Sequence, residues 1–154
     1  MNLDEIKRVL ERPLFDSAIV RHAFAPYMRD YDLITVIGEH HFLYRFTHCA
    51  SATYETRVAD EVWRASWDDV FTDPDSYERA GRPPGFYWGT RCALAYPGAT
   101  LFKDSIQAAQ WTARLGRTMY HVKIETNVFN LELIFHDLVF RELPSNEPTV
   151  APRR

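Results

Sequence analysis

The sequence predicts an α+β fold: a single domain with about five mostly antiparallel strands and two or three helices packed on one face or edge. Two observations lead to this prediction. Residues 119–143 alternate apolar and polar side chains with a period of two, as half-buried antiparallel strands do. Other segments begin with helix-capping residues and continue with apolar side chains at helical spacing.

The hairpin at residues 119–143 is the clearest element. Its buried face is predicted to carry Tyr120, Val122, Ile124, Leu131, Leu133 and Phe135. Its other face is predicted to be solvated, and carries His121, Lys123, Glu125, Glu132 and His136.

Two hairpin registers at residues 126–130 bury the same apolar set. If the turn is centred between Val128 and Phe129, His121 faces His136, which would suit a metal ion, but two glutamates also face each other, which destabilises a sheet. If the turn is centred one residue earlier, Lys123 faces Glu132. Electrostatics favours this second register, in which the histidines do not meet, and we predict neither a metal site nor a cofactor.

The step from His136 to Asp137 breaks the alternation of the hairpin. Strict alternation would bury Asp137 and expose Leu138 and Phe140. One extra residue at His136–Asp137 would return both apolar side chains to the buried side. Such bulges occur at pocket rims and where strands bend. We favour the bend, with His136 and Asp137 kept as candidate binding residues.

The remaining elements follow from caps, breakers and periodicity. Helices are predicted over residues 2–10, 14–23 and 105–115. Further strands are predicted over residues 31–37, 42–58 and 86–95. Small side chains in the middle of the long strand suggest a bulge or close packing there. Trp111, on the apolar face of the last helix, is predicted to lie in the core.

The domain is predicted to span residues 1–143, with residues 144–154 as a disordered, proline-rich tail.

Charge and cysteine content narrow the classes of partner and compartment that are expected. A net charge of −3 provides no broad basic field for nucleic acid or for an anionic membrane. The acidic N-terminus is unlike a signal peptide, and Cys49 and Cys92 lack zinc-ligand spacing, so we expect a cytoplasmic setting.

A second polar group joins the loop after the second predicted helix to the long strand. Its members are His22, Arg29, Asp30, Arg45 and His48. If residues 31–37 pair with the long strand, Arg45 or His48 can meet Asp30. In the favoured interpretation an Arg–Asp pair tethers the loop to the sheet. The alternative is a small polar pocket, with His22 or His48 as acid or base and Arg29 or Arg45 binding an anion.

Aromatic side chains cluster around the irregular segment at residues 59–85. The tryptophans concerned are Trp63, Trp67 and Trp88. They fit a second small core under a loop, or an aromatic surface of the kind that anchors protein interfaces.

Several short motifs resemble the bacterial YxiG-like family. They are Tyr27-Met28-Arg29-Asp30-Tyr31-Asp32, Tyr44-Arg45-Phe46-Thr47-His48-Cys49, Tyr87-Trp88-Gly89, Ala95-Tyr96-Pro97-Gly98, and the hairpin strings Ile124-Glu125-Thr126-Asn127 and Phe135-His136-Asp137-Leu138. The resemblance covers roughly residues 14–143. It brings no catalytic residues with it, and the genes around the founding member imply toxin immunity or another partner-binding role.

Two functions are therefore carried forward. The first is a protein-binding domain, with a toxin domain as a candidate partner in an immunity-like role. The second is a small-molecule-binding domain or enzyme built on the polar pocket. No catalytic signature accompanies it, so an enzyme is the less favoured of the two. A homodimer formed through exposed strand edges stays open.

Overall fold

The computed structural model describes residues 1–11, 13–26, 29–57, 64, 74–84 and 93–144. Three helices lie in these ranges: α1 (Leu3–Glu11), α2 (Pro74–Arg79) and α3 (Ile106–Leu115). The nine strands described are β1 (Ala18–Phe24), β2 (Tyr31–Ile37), β3 (His40–Thr47), β4 (Ser51–Thr56), β5 (Ala93–Leu94), β6 (Gly98–Phe102), β7 (Tyr120–Glu125), β8 (Phe129–Phe135) and β9 (Asp137–Leu143).

The strands form two antiparallel sheets. The first sheet has the order β5-β1-β2-β3-β9, and the second sheet has the order β4-β8-β7-β6. The predicted class, a single α+β domain with antiparallel sheets, is confirmed. The described residues contain more strands than the sequence predicted, because the chain repeatedly leaves one sheet to enter the other.

The two sheets are joined at a bend that we call the corner, made of residues 48–50 and His136. β3 pairs with β9 in the first sheet, and β4 pairs with β8 in the second sheet. Two long strands therefore pass the corner side by side. His136 N–H donates to Thr47 O at 2.9 Å, and Ala50 N–H donates to Ile134 O at 2.7 Å, so the pairing survives the bend.

The corner corrects one prediction and confirms another. Residues 42–58 do not form one strand, because His48 has a left-handed φ of 46° and turns the chain between sheets. The irregularity predicted at His136–Asp137 is present. Leu138 returns to the core beside Phe135, as predicted.

One apolar core lies between the sheets. The largest side chains that it buries completely are Tyr44, Phe46, Phe135, Ile6, Leu10, Leu14, Leu33, Ile124, Leu131, Leu133, Leu138 and Val122. Phe46 of the first sheet meets Phe135 of the second edge to face, with ring centroids 4.9 Å apart. Helix α1 adds Ile6 and Leu10, and a reciprocal capping box between Asn2 and Glu5 begins that helix.

The predicted helix at residues 14–23 is wrong, since this segment contains β1. Its register with β2 shifts between Ile19 and Arg21, which places a bulge at Val20. Ile19 packs in the core, while Val20 is exposed. The bulge moves the next inward-facing position from residue 21 to His22. Apolar or aromatic side chains then recur three residues apart, which is why the pattern resembled a helix.

Helix α3 ends at Gly116 as predicted and begins at Ile106, one residue after the predicted start at residue 105. The Ser105 side chain accepts the Ala108 N–H, and Gly116 closes the helix at a left-handed φ of 65°. The prediction that Trp111 lies in the core is wrong. Trp111 is half-buried on the helix surface, with the Arg114 guanidinium 4.0 Å from its ring centroid.

The hairpin adopts the register that electrostatics favoured. Lys123 lies opposite Glu132, and His121 lies opposite Ile134. Thr126 fixes the turn, because its buried hydroxyl donates to Phe129 O and accepts the N–H groups of Val128 and Phe129.

Replacing Thr126 with valine tests this role. Thr126→Val keeps the shape of the side chain but removes three hydrogen bonds at a buried site, so we expect the free energy of unfolding to fall by about 1–3 kcal/mol. Thr100→Val, at an exposed position of β6, is the matched control and should change it by less than about 0.5 kcal/mol. Urea unfolding measures both variants, and equal stabilities would show that the hydroxyl does not hold the turn.

Candidate functional site

The loop between β1 and β2 is tied to the corner through Asp30. Arg29 donates to both carboxylate oxygens of Asp30, from Nε and Nη2, each at 3.0 Å. The His48 N–H also donates to Asp30 Oδ1, at 3.0 Å. A backbone bond from Cys49 N–H to Arg29 O, at 2.7 Å, completes the connection. Asp30 therefore connects the loop to the corner through the His48 backbone, while the arginine that binds both of its carboxylate oxygens is its chain neighbour Arg29.

A second arginine–aspartate pair lies beside the first. Arg45 donates to both carboxylate oxygens of Asp32, from Nε at 2.7 Å and from Nη2 at 2.8 Å. The two residues face each other across β2 and β3. In both pairs the carboxylate is the more buried partner: the exposed side-chain fractions are 11% for Asp30 and 15% for Asp32, against 62% for Arg29 and 40% for Arg45.

An open cleft of about 510 Å³ runs along these two ion pairs. It is lined by Ala25, Pro26, Arg29, Asp30 and Arg45. The Arg29 hydrogen bond lowers the pKa of Asp30, and the backbone bond from His48 adds to the effect, so this carboxylate is ionised at neutral pH. Two cations face two anions, so the four side chains add no net charge to the cleft.

His22 does not join this cleft. It pairs across strands with Leu33, a fully buried residue, so it lies on the core side of the first sheet. Its Nδ1 is 2.7 Å from the Tyr31 hydroxyl, and its ring stacks on Tyr54 with centroids 5.6 Å apart. Burial lowers the pKa of His22 and raises the pKa of Tyr31 to about 12.

The corner brings His48 and His136 together, with ring centroids 5.7 Å apart. His136 Nδ1–H donates to Thr118 O at 2.7 Å. Burial and the positive charges of Arg117 and Arg29 lower the pKa of His48. Asp137 binds the N-terminal amine of Met1.

Four residues discussed in the sequence analysis lie outside the part of the chain that the structure describes: Trp63, Trp67, Trp88 and Cys92. The Cys49 thiol is buried and unbridged, and burial raises its pKa to about 12. No group of three or more His, Cys, Asp or Glu side chains within the described ranges could hold a metal ion.

Sequence reasoning missed a polar group on the outer face of the second sheet. His121 was expected to be solvated, but the residue is only 7% exposed and lies beneath Phe102 and the start of α3. Its Nδ1 is 2.7 Å from Ser105 Oγ, and its Nε2 is 3.3 Å from Glu132 Oε2. The available signals were the capping role of Ser105 and the alternation that puts His121 on that face. Neither signal shows that the start of α3 lies over His121 on the outer face of the sheet.

Comparison with known proteins places the chain in a family. The family model described as YxiG-like protein matches residues 2–151. Comparison with curated proteins finds no match. Within the described residues, none of the helices has the length and apolar character needed to cross a bilayer.

Asp30→Asn tests the tether. An asparagine side-chain oxygen can still accept the His48 N–H, but it loses the charge that pairs with Arg29, so we expect the free energy of unfolding at pH 7 to fall by about 1–3 kcal/mol. Because folding lowers the pKa of Asp30, its stabilising effect is present above the ordinary value of 3.8 and is lost as the pH falls below it.

Urea unfolding at pH 7 and pH 3 measures this effect, and the difference between wild type and Asp30→Asn should shrink at pH 3. Glu55→Gln, at an exposed position of β4, is the control. A difference that stays constant with pH would rule out a charged Asp30 as the tether.

Proposed function

We propose that this chain, which belongs to the YxiG-like protein family, is a protein-binding domain whose contact surface is the cleft beside Arg29 and Arg45. The observation that carries the proposal is the pair of outward-facing guanidinium groups held by inward-facing carboxylates. Arginine is among the commonest anchors of protein interfaces.

Pre-organisation supports this use of the arginines. A partner that binds a mobile arginine must immobilise it, which costs about 0.5–1.5 kcal/mol for each side chain. Bidentate bonds to Asp30 and Asp32 hold Arg29 and Arg45 in place beforehand. The partner surface we propose carries carboxylate side chains, which the outer edge of a guanidinium binds.

The chemistry of the cleft favours a protein over a small anion. The volume of about 510 Å³ is within the range of ligand pockets, which keeps a small-molecule function as the second candidate. However, the two aspartates neutralise the two arginines, so a free phosphate or carboxylate gains little net attraction. A protein gains in addition from covering Ala25 and Pro26 beside the arginines.

A toxin domain is the partner that we propose, in a cytoplasmic, immunity-like role. The buried thiol of Cys49 is in keeping with a reducing compartment.

The test is capture of a partner by the immobilised full chain from a lysate of the native host. The double variant Arg29→Gln/Arg45→Gln should lose at least about tenfold in affinity, which corresponds to 1.4 kcal/mol. Arg8→Gln/Arg79→Gln changes the net charge equally at exposed helix positions and should bind like wild type. The partner that depends on the arginines is then identified by mass spectrometry.

Two further measurements complete this test. Arg29→Lys/Arg45→Lys keeps the charge but loses the bidentate geometry, so it should also weaken binding even if the glutamine variant is unstable. Titration with inorganic phosphate and citrate probes the small-anion alternative. Binding that is equal in all variants, or phosphate binding without a protein partner, would contradict the proposal.

A further inference from the structure

We propose that Ser105, His121 and Glu132 form a second site, a nucleophilic centre that hydrolyses small esters with Ser105 as the nucleophile. This inference goes beyond the proposed protein-binding function. The residues lie on the outer face of the second sheet and at the start of α3, whereas the arginine cleft belongs to the first sheet.

The three side chains form a continuous hydrogen-bond relay. The Ala108 N–H donates to Ser105 Oγ at 3.1 Å, which leaves the hydroxyl hydrogen to point at His121 Nδ1, 2.7 Å away. The His121 Nε2–H in turn donates to Glu132 Oε2 at 3.3 Å. These two bonds favour the tautomer in which Nδ1 is the acceptor and Nε2 carries the hydrogen.

This arrangement meets the requirement for activating a serine. One ring nitrogen accepts the hydroxyl proton, while a carboxylate on the other N–H holds the ring and stabilises the imidazolium that forms. The nitrogens are used in the reverse order of that in chymotrypsin-like proteases, but either nitrogen is a competent base when the other carries the proton.

The surroundings suit a reaction with an apolar acyl group. The His121 side chain is 9% exposed, and the centroids of the Phe102 and His121 rings lie 4.5 Å apart, so the base has a largely apolar surrounding. Ser105 lines a cleft of about 640 Å³, a volume typical of ligand pockets. Apolar side chains that share this lining include Phe102, Ile106, Ala109 and Met119.

The start of α3 supplies donors for a developing negative charge. Ser105 is the N-cap of a ten-residue helix, and Ile106 is the first helical residue. The first N–H groups of a helix have no carbonyl partner within it, and the helix dipole adds a partial positive charge there. The N–H groups of Ile106 and Gln107 can therefore stabilise an oxyanion formed next to Ser105.

The reaction balances without a cofactor. Ser105 Oγ forms a bond to the ester carbonyl carbon as its proton passes to His121 Nδ1. The carbon–oxygen bond to the alcohol then breaks, and the alcohol oxygen takes that proton from His121. Water, deprotonated by His121, cleaves the acyl-Ser105 ester, releases the carboxylic acid and restores the serine hydroxyl.

The full chain treated with a fluorophosphonate probe tests the nucleophile. We expect a covalent adduct, which peptide mapping by mass spectrometry places on Ser105. Ser105→Asn keeps a residue that caps helices but lacks the hydroxyl, so it should fold like wild type and lose the adduct. Ser51→Ala, on β4, is the control and should be labelled like wild type.

Turnover of p-nitrophenyl butyrate tests the other two residues. His121→Gln should lower kcat at least about 100-fold, because it removes the base. Glu132 is a positioning residue, so Glu132→Gln should lower kcat less and leave KM unchanged. No adduct on the wild-type chain, an adduct on another residue, or full labelling of Ser105→Asn would overturn the proposal, and none of these results bears on the arginine cleft.

Discussion

The paired passage of two strands around the corner is the constraint on which the rest of this structure depends. At the corner, β3 continues into β4 while β8 continues into β9. Backbone hydrogen bonds join these two long strands on both sides of the bend. Because the bend carries both strands, the two sheets face each other and share one core. Phe46 and Phe135 contact each other across that core, next to the bend.

The corner also positions the arginine cleft. Turning the chain between sheets requires a left-handed φ at His48, and this conformation leaves the His48 N–H without a strand partner. Asp30 accepts that N–H and so fixes the loop between β1 and β2. The same carboxylate then orients Arg29 at the surface. One aspartate therefore both accepts the His48 N–H and orients the exposed Arg29 guanidinium.

The sequence predicted those features that depend on neighbouring residues or on facing pairs. Placing Lys123 opposite Glu132 predicted the register of the β7–β8 hairpin, although Lys123 forms an ion pair with Glu125 on its own strand. The capping sequence at residues 104–107 and Gly116 predicted the span of α3 to within a residue. The sequence did not predict features that depend on strand irregularities or on one element covering another. The bulge at Val20 changed the spacing of inward residues in β1, and the burial of His121 arises only when a helix covers the outer face of the sheet.

The two candidate sites use the same device, a carboxylate that holds a basic side chain, with opposite consequences. Asp30 is buried and its arginine is exposed, so the fixed group faces whatever approaches the surface. At the second sheet the order is reversed: Glu132 is 38% exposed, while the His121 side chain beneath it is 9% exposed. A fixed, exposed guanidinium is suited to recognition, and a fixed, buried imidazole bonded to a hydroxyl is suited to proton transfer. The burial of the basic side chain, rather than the type of carboxylate that holds it, therefore distinguishes the proposed recognition site from the proposed nucleophilic site.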